Sequence, residues 1–318
     1  MQTLIVLAVS SLACFACATT DKPATDTAAA TATLAAAAAA PMKMGETGGM
    51  NVPESVKYDA DMDVFFVSNI VGNPSVRDGN GFIAVVRADS TGVMRKLVES
   101  GKASGGGKAI TLNAPKGLAI VADTLWVADI STVHAINKRT GASITDIPIT
   151  GATFLNDVAV GADGAVYITD TGIVFDAKGT VTHPGVNRIF RIAGRTVTTV
   201  AEGDSLNNPN GLTWDSTNNR WVLAPFGGMD VQTLAAGAKN PTKLVSGPGQ
   251  YDGVEVLADG RILVSSWADS AVHVISNGIM TKLVGGVSAP ADIGVDTKRK
   301  ILAIPRFNDA KVEYYMIH

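Results

Sequence analysis

Three features of the 318-residue sequence predict an all-β fold, a six-bladed β-propeller with four-stranded antiparallel blades. A short polar motif recurs six times ahead of an apolar strand, strands alternate with turn residues roughly every 8 to 12 positions, and one strand sequence repeats almost literally. The motif reads Pro53-Glu54-Ser55, Pro115-Lys116-Gly117, Leu155-Asn156-Asp157, Pro209-Asn210-Gly211, Tyr251-Asp252-Gly253 and Pro290-Ala291-Asp292, with steps of 62, 40, 54, 42 and 39 residues between middle positions.

Ahead of the repeats, Leu4 to Ala18 form an apolar run of signal-peptide length, too short to span a bilayer, which predicts a signal peptide or lipoprotein signal over residues 1–18. Met1-Gln2-Thr3 lacks the basic residues such a signal usually carries. Cys17, and less well Cys14, follows a small residue as at lipoprotein cleavage boxes. The expectation is an exported protein of the periplasm or cell envelope, touching a membrane only through a lipid on Cys17 or Cys14. These two are the sole cysteines, so the domain that follows has no disulfide, thiol nucleophile or cysteine metal cage. Residues 19–41 are almost pure Ala, Thr, Asp and Pro without apolar periodicity and predict a disordered linker, leaving 42–318 as the propeller.

Within each unit the motif leads into a strand, a polar turn and a second apolar strand, as in Val158-Ala159-Val160, Ala162-Asp163-Gly164 and Val166-Tyr167-Ile168. A third strand follows, seen in Val133-His134-Ala135-Ile136 and Val272-His273-Val274-Ile275. The fourth is the near-literal repeat Lys96-Leu97-Val98, Lys243-Leu244-Val245 and Lys282-Leu283-Val284. The last unit ends with its third strand, Lys311 to Met316. Residues near Met42-Lys43-Met44 are therefore predicted to supply its fourth, so that the ring closes and no sheet edge is left unpaired.

The composition agrees. The 33 glycines exceed the usual share and supply tight turns, and 26 basic against 29 acidic residues leave no positive excess for a nucleic acid. A small-molecule substrate is the expected partner, and a monomer is the default.

In a propeller the first strand of each blade lines the central channel, so the six middle residues Glu54, Lys116, Asn156, Asn210, Asp252 and Ala291 converge at one mouth. Two carboxylates and two amide oxygens form a hard-oxygen set suited to Ca²⁺ or Mg²⁺, without histidine or cysteine for a softer metal. Asn and Asp also serve turns as such, the simpler explanation for any one motif. Lys116 either faces an anionic substrate group or is a solvated rim lysine. The second strands end at Asn69, Asp129, Asp170, Phe226, Trp267 and Arg306, an outer rim in which Phe226 and Trp267 either wall the substrate or pack between blades.

The series Pro53-Glu54, Phe154-Leu155-Asn156-Asp157, Asn208-Pro209-Asn210-Gly211-Leu212 and Tyr251-Asp252-Gly253-Val254-Glu255 resembles the senescence marker protein / gluconolactonase / luciferin-regenerating enzyme family. The resemblance implies that Glu54, Asn156, Asn210 and Asp252 hold a divalent cation, Ca²⁺ first, with Mg²⁺, Mn²⁺ and Zn²⁺ as alternatives. It further implies hydrolysis of a lactone or small ester, the cation polarising the carbonyl. Asp252, with Asp157 as a second carboxylate, is then the candidate catalytic base, and Lys116, Asn156, Trp267 and Arg306 are the candidate substrate contacts. The rival reading is a non-catalytic ligand-binding or scaffold propeller of the cell envelope. A strictosidine-synthase-like condensation fits less well, because that branch does not use this metal set.

Other motifs lead nowhere. Ser104-Gly105-Gly106-Gly107-Lys108 places Lys102 and Ala109 where a phosphate loop needs Gly and Ser or Thr, and no serine-hydrolase elbow, zincin or dinucleotide motif occurs. His134 and His273 share one position of the third strand, away from the channel, which favours a structural role.

Overall fold

The computed structural model describes residues 40–318. The predicted export signal with Cys14 and Cys17, and all but the last two residues of the predicted linker, lie outside them. Six four-stranded antiparallel sheets follow one another along the chain. Their first strands, Pro53–Asp59, Pro115–Val121, Leu155–Val160, Pro209–Asp215, Tyr251–Val256 and Gly294–Asp296, pack side by side around a central axis. The repeated Lys-Leu-Val sequences all fall on fourth strands, Met94–Glu99, Thr242–Ser246 and Ile279–Gly285.

Blade 6 is completed by Met42–Thr47, which pairs antiparallel with Lys311–Met316. This is the closure expected from the missing fourth strand. Thr47 Oγ1 and the Tyr314 hydroxyl meet at 3.1 Å, and Lys43 Nζ donates to Glu313 Oε1 at 2.9 Å, so the seam is hydrogen-bonded by side chains as well as backbone.

Packing follows from the period-two alternation of strands. Every blade is apolar on both faces, and successive side chains feed different inter-blade cores. Phe65 faces blade 6 with Val56 and Tyr314, while Phe66 faces blade 2 with Leu118 and Leu125. Val222 and Leu223 divide in the same way between blades 5 and 3. The core is thus chiefly six wedges, one per interface, and the wedge between blades 6 and 1 forms only when the ring is closed.

The two third-strand histidines are structural. His134 is buried, with Nδ1 2.7 Å from Asp146 Oδ1 and Nε2 3.4 Å from Asp129 Oδ2. His273 pairs with Asp269. Burial works to lower the His134 pKa, but its two carboxylate partners outweigh this and raise it to about 9.

Two outcomes are expected. Deletion through Gly48 removes the closing strand and exposes the edge of Lys311–Met316, and should lower Tm by on the order of 10 °C or cause aggregation, with deletion through Ala39 as the reference. Because the His134 pKa is raised on folding, its contribution is complete below pH 6.5 and lost as pH rises through about 9. Urea titrations should find His134→Gln less stable than wild type by on the order of 2 kcal/mol at pH 6, with the gap closing by pH 9 to 10.

Candidate active site at the channel mouth

The six recurring motifs are not turns. Each of the first five opens a first strand and contains a β-bulge. Pro53 pairs with Asn69 and Val56 with Val67, so Glu54 and Ser55 together oppose Ser68. The same register shift occurs between Pro115 and Leu118, Leu155 and Val158, Pro209 and Gly211, and Tyr251 and Val254. A bulge leaves an unpaired N–H and re-aims its side chains. In three blades a second-strand hydroxyl accepts that N–H: Ser68 Oγ from Ser55, Thr169 Oγ1 from Asp157, and Ser265 Oγ from Gly253, at 2.8 to 2.9 Å.

The bulges bring Glu54, Asn156, Asn210 and Asp252 to the floor of one cavity of about 250 Å³ at the mouth. All four are buried. Their hydrogen bonds orient them. Asn156 Nδ2 donates to Thr171 Oγ1 at 3.0 Å, and that hydroxyl in turn donates to the carbonyl of Pro209. Asn210 Nδ2 donates to the carbonyl of Tyr251 at 3.3 Å. Both amides are thereby held with Oδ1 free of any protein donor among the described residues. Trp267 Nε1 donates to Asp252 Oδ2 at 2.9 Å, whereas Asp252 Oδ1 and Glu54 Oε2 are buried without a partner.

The two bare carboxylate oxygens cost free energy when ionised until a proton or a cation is supplied, and the two amide oxygens stand beside them. Burial first, then the facing carboxylates of Asp252 and Asp292, push the Glu54 pKa well above the usual range, with Lys116 opposing. Burial and Asp292 do the same to Asp252, opposed by Trp267 and Asn210. No group of three or more His, Cys, Asp or Glu residues poised for a metal occurs among the described residues. The floor set instead has two carboxylates and two amides, a donor chemistry that fits a hard divalent cation.

Three sequence-derived site residues stand elsewhere. Asp157 follows Asn156 in the bulge and points away from the cavity; its two oxygens accept the backbone N–H groups of Val158 and Leu212, both at 2.6 Å, so neither is free to act as a base. Lys116 is neither solvated nor facing the cavity. It is 1% exposed, donates to the Ala114 carbonyl at 3.0 Å and lies 4.2 Å from the Phe154 ring centroid. Burial pushes its pKa down to about 8, against the pull of Asp129 and Glu54. Arg306 is turned outward, bonding Glu313, Asp309 and the Ser288 carbonyl. The rim carboxylates Asp129 and Asp170 are also structural, each accepting backbone N–H groups from the segment that enters its own blade's first strand.

Trp267 and Phe226 do line the cavity, stacked edge to face at 5.7 Å, with Phe307 5.2 Å beyond Trp267. Sequence reading missed the opposite wall. It comes from Ile173, Phe175 and Val181, which belong to or adjoin a hairpin of Val174–Phe175 and Val181–Thr182 inserted between the second and third strands of blade 3. The 54-residue step across this blade was its signal.

Fold and site together define a six-bladed propeller with an oxygen-lined cup at one end of its channel. The model of the SMP-30/gluconolactonase/LRE-like region matches residues 95–295, most of the folded chain, and the protein belongs to this family. Asn156, Asn210 and Asp252 fall inside the match, and Glu54 joins them from blade 1. Among solved structures the chain is similar to a gluconolactonase from Xanthomonas campestris, at 17% identity and TM-score 0.62, over 85% of this chain and 87% of that one. It is also similar to a luciferin-regenerating enzyme, at 12% and 0.63, over 85% and 92%, and to virginiamycin B lyase from Staphylococcus aureus, at 12% and 0.57, over 86% and 99%. At these identities the likeness is one of fold. No curated protein matches in sequence.

The bulge geometry also makes a prediction. A Cβ on Gly211 would lie 2.1 Å from the carbonyl oxygen of Asp252. Gly211→Ala should therefore displace the neighbouring first strand, costing about 1–3 kcal/mol in denaturant titrations.

Proposed function

We propose that the protein is a divalent-cation-dependent hydrolase of a lactone or related small ester, acting at the channel mouth. One observation carries the reading: the four inward oxygens of Glu54, Asn156, Asn210 and Asp252, none with a protein donor, at the base of a substrate-sized cavity. Family membership supports lactone chemistry. A bound cation, Ca²⁺ first, supplies Lewis-acid polarisation of the acyl oxygen and stabilises the charge that develops there.

The chain's own residues do the rest. Asp252 has two roles: Trp267 anchors Oδ2, and Oδ1, the oxygen it presents to the cation, would also take the proton of the attacking water. Asn156 and Asn210, oriented through Thr171 and the Tyr251 carbonyl, present acceptor oxygens to the cation and no N–H to compete with it. The aromatic walls exclude bulk water, which strengthens every charge interaction on the floor.

Calorimetry on chelator-treated protein should find Tm raised by added Ca²⁺, since a ligand that binds only the folded state stabilises it. Glu54→Gln should abolish that rise, and should itself raise Tm of the cation-free protein by removing an unpaired buried charge. On a lactone panel Asp252→Asn should reduce kcat by about 10²–10⁴-fold. Activity untouched by chelator, or full activity in Asp252→Asn, overturns the reading. Binding without turnover on any lactone replaces it with the ligand-binding alternative.

A further inference from the structure

Above the floor the cavity changes character. One side is the Phe226, Trp267 and Phe307 stack from blades 4 to 6; the other is Phe154 with Phe175, their centroids 5.8 Å apart. Ile70 and Pro74, from the long connection between the second and third strands of blade 1, complete the enclosure. This connection and the blade 3 hairpin are tied together across blade 2: Asn73 Nδ2 donates to the Asp176 carbonyl at 2.8 Å, and the Phe175 N–H donates to Ser75 Oγ at 3.0 Å. The residues these two segments bring to the cavity, Ile70, Pro74, Ile173, Phe175 and Val181, all have apolar side chains.

Polar groups on the walls are few. The Thr171 hydroxyl is already committed to Asn156 and the Pro209 carbonyl, which leaves Gln250. No cationic side chain lines the cavity. A polyhydroxylated lactone would strip several hydroxyls of water with almost nothing to replace it, at about 1–3 kcal/mol for each group left unpaired. An apolar body gains roughly 25 cal/mol per Å² buried on the same walls. The volume, about 250 Å³, lies below the roughly 300–1,000 Å³ of drug-sized sites and sets the limit on length.

We propose that the substrate is a small lactone with an apolar alkyl or aryl body, selected against sugar lactones by the Phe226–Trp267–Phe307 wall and the blade 3 hairpin. The inference rests on the lactonase reading for the reaction, but its statement about what the cavity binds is independent of turnover. Phe175 and Val181 are specificity residues remote from the floor, and Trp267 both walls the cavity and positions Asp252.

The test has a binding arm and a turnover arm. In the first, Trp267 emission, assigned by difference from Trp267→Phe, is titrated with two non-hydrolysable lactams, 6-pentyl-2-piperidinone and D-gluconolactam. The pentyl lactam should bind at least tenfold more tightly. In the second, the Ca²⁺-loaded protein should open δ-decalactone or dihydrocoumarin with kcat/KM at least 100-fold above δ-gluconolactone. Phe175→Ser and, separately, Val181→Asn should each lower that preference about tenfold, chiefly by raising KM for the apolar lactone. Equal or tighter binding of gluconolactam, or a preference for δ-gluconolactone, overturns the inference. If the pentyl lactam binds and no lactone is opened, the hydrolase reading falls while the assignment of an apolar ligand stands.

Discussion

The extra residue at the start of the first strand in blades 1 to 5 is the constraint on which the site depends. A regular strand would send alternate side chains into the inter-blade wedges, and nothing would be directed along the axis. The bulge breaks that alternation over two residues, turning Glu54, Asn156, Asn210 and Asp252 toward the mouth. Such a break is stable only if the spare N–H is satisfied, and the hydroxyls of Ser68, Thr169 and Ser265 do this from the neighbouring strand. Thr169 and Ser265 also donate to the Asn210 and Ala291 carbonyls, so these two seals couple a bulge to the entry of the following blade. Local geometry and ring closure are thereby one network.

The same geometry concentrates charge. Below the floor the channel continues with Asp157, Asp292 and the Lys57–Glu255 pair, the last at 2.6 Å. Burial, offset by Lys57 and Ser55, pushes Asp292 up to about 6. Protein interiors tolerate buried carboxylates when donors surround them, and Asp157 meets that condition with two backbone N–H groups. Glu54, Asp252 and Asp292 do not, since each keeps a buried oxygen with no partner, and of these three only Glu54 and Asp252 line the cavity. A bare oxygen together with a place on the cavity lining, not acidity alone, separates Glu54 and Asp252 from Asp157 and Asp292.

Most of the fold was legible because it is written six times. Repetition exposes the strand grammar, and the missing fourth strand of the last unit points to residues near Met42-Lys43-Met44, which pair with Lys311–Met316 as part of the strand Met42–Thr47. The floor was legible for the same reason, since equivalent positions of equivalent strands must meet at the axis. What repetition does not encode is direction within the bulge. Asn156 and Asp157 are neighbours of similar chemistry, yet one reaches the cavity and the other turns to the Leu212 N–H. Lys116 occupies the equivalent address in blade 2, but its long chain folds back beneath Phe154, a choice set by tertiary packing. The blade 3 hairpin occurs once, has no counterpart to be compared with, and left only an unusual spacing as its trace.

Lys116 also bears on why four oxygens rather than six surround the axis. Its ammonium supplies one buried positive charge, held on a carbonyl and an aromatic face, and its attraction to Glu54 partly offsets the carboxylates on the floor without occupying it. Blade 6 contributes only the buried methyl of Ala291. One lysine against two bare carboxylates gives the mouth an excess of acidic groups, whose ionised forms burial and mutual repulsion disfavour until a cation is supplied. A monovalent ion would leave this balance close to neutral with no surplus to polarise a substrate. On the proposed lactonase reading a divalent ion would overcompensate, and the surplus positive charge would face a cavity whose lining, among the described residues, offers an acyl oxygen no other cationic partner.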